Sequence, residues 1–286
     1  MKPSGLKIRK RNKWDPRTFS YKKKFGAASL HERDFEVSFV LEVKNQVDTD
    51  FCVNFALASI REDTEGVVIA PEYGAAKTKQ IEGDFMSYGA DPDDAIKAAI
   101  TYGSLERDVC PYKVIDKTRN FLANWTNYPL HLDDAAKLHR AGSFFKVSGW
   151  SDFFDSCRGV MQSQNVSILA GVYWQNDWDS APAGVIPENT SFQKVNPHAV
   201  KIRGQKTING KLYLVIQNSY GPQFGDGGMY YFPRSVVNKF IFGRCILDLD
   251  PNEVKKETWN LLQRVADVLI KLLQNLTNSR QTNLHS

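Results

Sequence analysis

Residues 43–58 read V-K-N-Q-V-D-T-D-F-C-V-N-F-A-L-A. The second half of this stretch is apolar at helical spacing. Val53, Ala56, Leu57 and Ile60 recur at the intervals that line one face of a helix, so the pattern predicts a helix over 52–62 with one buried face. Asp48, Thr49 and Asp50 lie just upstream, where capping side chains belong. Cys52 then falls at the first turn. Backbone N–H groups and the helix dipole favour a thiolate there, which lifts this cysteine above the usual reading of a small buried hydrophobe.

A thiol nucleophile needs a base. Of the five histidines, His31, His131, His139 and His285 lie in polar or irregular stretches. His198 stands in N-P-H-A-V, at the start of a strand. That strand is one arm of a hairpin: 201–208 and 211–218 flank Asn209-Gly210, the strongest short hairpin signal. A two-residue turn sets Ile208 opposite Lys211 and carries the register out to His198 opposite Gly221. His198 and Asn218 thus fall at one end of the ribbon, and a bulge would bring them closer. An Asn oxygen can accept the imidazole N–H and leave the other nitrogen for a thiol. Nothing in the spacing alone brings Cys52 to them.

Further out, a second helix has signals at both ends, with Asp91 as cap, Pro92 as first residue, acids at Asp93 and Asp94, and Gly103 as the stop. A third is predicted over 152–164 after a Ser151 cap. The second half turns to β-formers: 166–174, the hairpin, a Gly-rich loop over 221–228, then short strands over 229–232 and 245–249. Helices early and strands late give an α+β fold, with two lobes meeting at a cleft. Residues 1–35 read as a basic arm, 36–250 as the globular body, and 251–286 as a C-terminal amphipathic helix (253–276) with a polar tail. That helix carries a broad leucine stripe, suited to docking on its own domain, to self-association or to a partner.

Composition narrows the function. The chain has 286 residues, 42% hydrophobic and 24% charged, with a net charge of +5. Residues 1–24 hold ten Lys or Arg against Asp15 alone, so the remainder is net acidic. The basic excess belongs to the arm, which could take an anionic partner, and not to a folded nucleic-acid surface. No apolar run is long enough to span a bilayer, and no secretory signal opens the chain. The four cysteines form no C-x-x-C pair, so neither a zinc site nor a cofactor is expected. They fit a reducing setting, cytoplasmic or virion-associated.

Taken together, these segments resemble the papain-like cysteine peptidases. The 43–58 stretch resembles the family's nucleophile segment, with Gln46 six residues before Cys52. P-H-A-V resembles its histidine segment, and Y-L-V-I-Q-N-S-Y-G-P-Q-F-G-D-G-G-M-Y its Asn-Ser-Trp-Gly segment. S-Y-G-A-D-P-D-D-A-I-K-A-A-I-T-Y-G resembles the stretch that binds substrate backbone, and V-C-P-Y the family's Tyr-Pro-Tyr turn. The likeness runs in order over about 30–250. It implies a two-lobed papain-like fold, with a helical lobe, an antiparallel β lobe and the active site between them. It implies Cys52 as nucleophile, His198 as base and then acid, Asn218 as the group orienting the imidazole, and Gln46 as oxyanion donor. Gly89 and Ala90 would pair with substrate backbone, and Tyr220 would take the place of the Trp that shields the Asn–His bond.

The departures are specific. Against the family's Q-G-x-C-G-S-C-W, Val47 and Asp50 occupy the two glycine positions, Thr49 a disulfide cysteine, Phe51 the serine and Val53 the tryptophan. A side chain at Asp50 is expected to crowd the substrate backbone, and Asp48 and Asp50 to raise the thiol pKa. Three functions follow from this reading. The first is a peptidase acting on peptides or proteins through a thioester. The second is a silent papain-like module in a larger assembly, viral among the options. The third is an acyl-transfer or deamidating enzyme, disfavoured by Asn218 in place of Asp. If residues 1–35 are an inhibitory pro-segment, deleting them raises the rate.

Overall fold

The computed structural model describes residues 5–7, 19–26, 29–37 and 40–247. The helix read over 253–276, the polar tail and most of the basic arm lie outside the described residues.

The predicted Cys52 helix is α2 of the elements β1 (Phe19–Ser20), α1 (Tyr21–Phe25), β2 (Phe35–Glu36) and α2 (Cys52–Glu65). It is buried all round from Cys52 to Glu62, where the spacing predicted one buried face. The difference has a physical cause: each polar residue on the other faces has a partner. Asn54 donates to Thr78 Oγ1 at 2.8 Å, Arg61 pairs with Glu65 and donates to the Arg140 carbonyl at 3.2 Å, and Glu62 pairs with Lys44 at 2.6 Å, while the backbone carbonyl of Ser59 accepts Lys201 Nζ at 2.8 Å. None of Asp48, Thr49 or Asp50 caps the helix. Its N-cap is Phe51, with no side-chain bond.

Two helices pack on α2 from one side: α3 (Pro71–Glu82) and α4 (Pro92–Thr101). α4 follows its signals closely. Asp91 accepts from Asp93 N at 2.9 Å and Asp94 N at 3.3 Å. Gly103 lies past the end at φ +88°, where a Cβ would strike the Ala136 carbonyl. α3 has no clean apolar stripe, because its buried set includes Glu72, Lys77 and Lys79. Their charges are matched by Arg107, Asp133 and Glu82. Short helices α5 (Arg119–Ala123) and α6 (His131–Ala136) complete this lobe.

The other side of α2 meets a sheet. Its remaining elements are β3 (Ser143–Lys146), α7 (Phe153–Gln164), β4 (Ile168–Tyr173), β5 (Pro197–Ile208), β6 (Lys211–Gln217), β7 (Met229–Pro233), α8 (Arg234–Val237) and β8 (Phe242–Leu247). The strand order is β1-β3-β8-β4-β5-β6-β7, with β2 added along β5. All pairings are antiparallel except β1 with β3. The cap of α7 is Asp152, which accepts from Asp155 N at 2.9 Å, and not Ser151. The last strand starts at Phe242 rather than Cys245, because Phe242–Cys245 pair along β4 while Arg244–Leu247 pair along β3. The result is a mixed α+β fold, helical on one side of α2 and a mainly antiparallel sheet on the other.

Candidate active site

The hairpin sets the geometry. β5 and β6 meet at Ile208–Lys211 as the turn requires, but the register shifts by one residue between Ile202 and Gly204. Gly204 sits against β2, where a Cβ would strike the Phe35 carbonyl. Carried outward, the shift sets His198 opposite Tyr220 instead of Gly221. His198 Nε2 then lies 2.8 Å from Asn218 Oδ1. That oxygen also accepts Ser219 N at 2.7 Å, which fixes which end of the amide faces the ring. An amide oxygen only accepts, so Nε2 carries the proton and Nδ1 is left to act as base. The Tyr220 ring lies over the imidazole at 4.9 Å between centroids, and Trp174, at the end of β4, meets it edge-on at 5.5 Å.

The nucleophile segment is tied to the same loop. Gln46 N donates to Ser219 O at 2.9 Å, and Gly221 N to Lys44 O at 3.0 Å. Buried Gln46 donates through Nε2 to Thr49 O at 2.8 Å and accepts Ser219 Oγ at 2.7 Å. These contacts hold its amide beside the start of α2 and use one of its two N–H groups. Cys52 begins α2, fully buried, in the same buried cluster as Ala199, the residue after His198. The structure thus brings Gln46, Cys52, His198 and Asn218 to one place, which sequence spacing could not do.

The Gly89–Ala90 edge lies at the same site, but it is occupied. Ala90 N donates to Gly5 O at 2.7 Å, and Lys7 N to Ala90 O at 3.0 Å, a parallel bridge centred on Leu6. Leu6 is buried in the cluster that holds Cys52, Ala90, Leu169 and Ala199. Lys7 Nζ reaches Glu82 at 2.5 Å and Ser87 Oγ at 2.9 Å. Gly5 covers the thiol: a Cβ built on it would lie 3.0 Å from the Cys52 sulfur. Burial therefore pushes the Cys52 thiol up to about 12, with the Asp50 carboxylate adding to the rise against the N–H donors of Ala199, Gly5 and Val53. A thiol so placed is protonated at neutral pH.

Two of the departures resolve differently from expectation. Asp48 is exposed. Buried Asp50 turns its carboxylate away from the cleft, to Arg119 Nε at 2.7 Å, Arg119 Nη2 at 2.9 Å and the Gly89 N–H. It does not block the edge. Val47, at one of the two glycine positions, stands in the left-handed region with φ +51°. Cys110, Cys157 and Cys245 are buried free thiols. Among the described residues no group of His, Cys, Asp and Glu could hold a metal ion. Nor is any helix among them long and apolar enough to cross a membrane.

Sequence reading missed Trp174, Ser219, Arg119 and the 5–7 segment. Ser219 lay inside the quoted Asn segment. Arg119 and Gly5 carried no local signal, because their partners are remote in sequence.

The model of the Papain family cysteine protease family matches residues 28–246. A curated relative, cysteine proteinase RD21A of Arabidopsis thaliana, is 25% identical over 221 residues, covering 74% of this chain and 44% of its own. The chain thus spans less than half the length of that relative. Among solved structures, xylellain, a cysteine protease from Xylella fastidiosa, superposes with a TM-score of 0.70 at 18% identity, over 87% of this chain and 97% of its own. A procathepsin B from Trypanosoma congolense gives 0.62 at 19%, over 84% and 85%.

Proposed function

Because the chain belongs to the papain family of cysteine proteases, we propose that it hydrolyses peptide bonds through Cys52, His198, Asn218 and Gln46. The observation that carries this reading is the burial of Cys52 in one cluster with Ala199, the residue after His198, while His198 Nε2 lies 2.8 Å from Asn218 Oδ1.

In the proposed reaction His198 Nδ1 takes the thiol proton, and Cys52 Sγ attacks the scissile carbonyl carbon. A C–S bond forms, and the carbonyl electron pair moves to oxygen. The second N–H of Gln46 Nε2 and the backbone N–H of Cys52 stabilise that oxyanion, a donor of this kind being worth about 10²–10³ in rate. The tetrahedral intermediate expels the amine, which takes the proton from the imidazolium. Water, deprotonated by His198, then cleaves the thioester and restores the thiol. Asn218 holds the ring in the required tautomer throughout, and Tyr220 and Trp174 keep water from that hydrogen bond.

The described state is closed, since Gly5, Leu6 and Lys7 occupy the edge on which substrate backbone would pair. We therefore read residues 5–7 as an inhibitory segment. The buried thiol is also the one observation that favours the silent-module reading. Thr49 at the disulfide position supports a reducing compartment.

The test is alkylation of the purified full chain with iodoacetamide across pH 4–9, mapped by mass spectrometry, together with peptide-library hydrolysis. Turnover lost in Cys52→Ala and in His198→Ala is the expected result. Turnover surviving in Cys52→Ala would remove this thiol from the mechanism.

A further inference from the structure

The Gly89 peptide is gripped from behind. Its N–H donates to Asp50 Oδ2 and its carbonyl accepts Lys79 Nζ, both side chains being buried. Asp50 is itself held by the Arg119 fork, at 2.7 Å and 2.9 Å. The same guanidinium donates to the carbonyls of Phe85 and Ser87, on the segment leading to Gly89. It lies over the Phe51 ring at 5.6 Å and the Tyr88 ring at 5.1 Å. The Asp50–Arg119 pair therefore holds three points of the 85–89 backbone, two through Arg119 and one through Asp50. With Gly89 turned inward, Ala90 is left to present its N–H and carbonyl to an occupant.

We propose that Asp50 and Arg119 act together as positioning residues that hold the Gly89–Ala90 edge in register to pair with a peptide backbone, and in step with the nucleophile. This deepens the peptidase reading and rests on it for its substrate. The physical argument is the bidentate geometry. A carboxylate and a guanidinium meeting in two parallel bonds fix orientation as well as distance, and a lysine at Arg119 would keep the charge but lose the fork. Neither residue touches the reacting atoms, so the effect falls on pairing of the occupant and not on the chemical step.

Hydrogen exchange on the full chain tests this. In Asp50→Asn, in Arg119→Lys and in the charge-free double variant Asp50→Asn/Arg119→Gln, amides of 5–7 and 87–91 should exchange about 10-fold faster, the equivalent of one charge-assisted hydrogen bond lost. Amides of α2, β5 and β6 should keep their protection. The double variant, with no unpaired buried charge, keeps the proposal testable should Asp50→Asn fail to fold. A folded variant with edge exchange within 2-fold of wild type would overturn the proposal. So would equal loosening of α2, which marks a general structural role.

A second measurement reads catalysis. In a full chain carrying Gly5→Val, adding Asp50→Asn should raise KM about 10-fold with kcat within about 3-fold. A fall in kcat at constant KM would refute the positioning role, because Asp50 would then act at the thiol. Should Gly5→Val hydrolyse no peptide, the peptidase reading fails while the exchange result still decides this proposal.

Discussion

Replacing Gly5 by valine should open the site. A Cβ at residue 5 would collide with the Asp50 carbonyl oxygen and sit 3.0 Å from Cys52 Sγ. Both neighbours are anchored, the first in backbone and the second in α2, so the arm must leave its seat. The seat has a calculable strength. Burying Leu6 contributes about 2–3 kcal/mol. The two backbone hydrogen bonds to Ala90 add about 1 kcal/mol each, and the Lys7–Glu82 bond about 1 more. Ordering three backbone units takes back about 1–1.5 kcal/mol each. The difference is about 2 kcal/mol, a closed-to-open ratio near 30. Since a closed thiol near 12 is protonated at neutral pH, alkylation of wild type proceeds through the open fraction. Gly5→Val should therefore speed iodoacetamide labelling of Cys52 about 30-fold at pH 7. Peptide hydrolysis should rise by the same factor, and the pH profile of labelling should move to lower pH as the thiol loses its burial. Labelling unchanged within 2-fold, in a variant that melts with wild type, would refute the claim that residues 5–7 gate the thiol.

Other expectations follow from single features. Cys52→Ala should abolish hydrolysis and leave the melting temperature within a few degrees of wild type, checked by scanning calorimetry. Val47 holds φ +51°, which costs a β-branched residue about 1–2 kcal/mol, partly offset by the chain entropy a glycine adds. Val47→Gly should thus stabilise the fold by about 0.5–1 kcal/mol in urea titration, and a loss of stability would show that the local backbone is not strained. His139 is pulled down by partial burial, but hydrogen bonds to Glu65 at 2.7 Å and Glu106 at 2.9 Å outweigh that and raise its pKa above 6.5. Its contribution is then full below the unfolded pKa and is lost as pH rises through the folded value. His139→Gln should flatten that part of the stability–pH curve, and an unaltered curve would remove His139 as its source.

What the sequence made legible was local. The α4 caps, the Asn209-Gly210 turn and the start of α2 each lie within a few residues of their signals. The register of β5 on β6 was off by one at His198, because the bulge beyond Ile202 depends on β2 crossing at Gly204, a contact that no hairpin rule contains. α3 was silent for a related reason. Its buried face carries Glu72, Lys77 and Lys79, and a charge whose partner lies far along the chain reads as a solvated face until the fold supplies that partner.

Asp50 shows the same limit with a consequence for function. Read locally, an acid two residues before the nucleophile is expected to crowd the substrate backbone and to raise the thiol pKa. Arg119, 69 positions on, pairs with that carboxylate and turns it into a brace for the Gly89 peptide, although the carboxylate's charge still adds to the rise of the thiol pKa. What remains of the case for silence is the buried thiol, and its lid is Gly5 rather than Asp50's side chain. A silent module and a latent peptidase differ at this point by three residues of backbone. If the closed state is set by Gly5–Lys7, the high thiol pKa belongs to that state alone, and displacing the segment must restore reactivity without altering Cys52, His198 or Asn218. If the thiol stays inert with the seat empty, the cause lies in α2 and β5 themselves, and the chain is a binding module built on a protease fold.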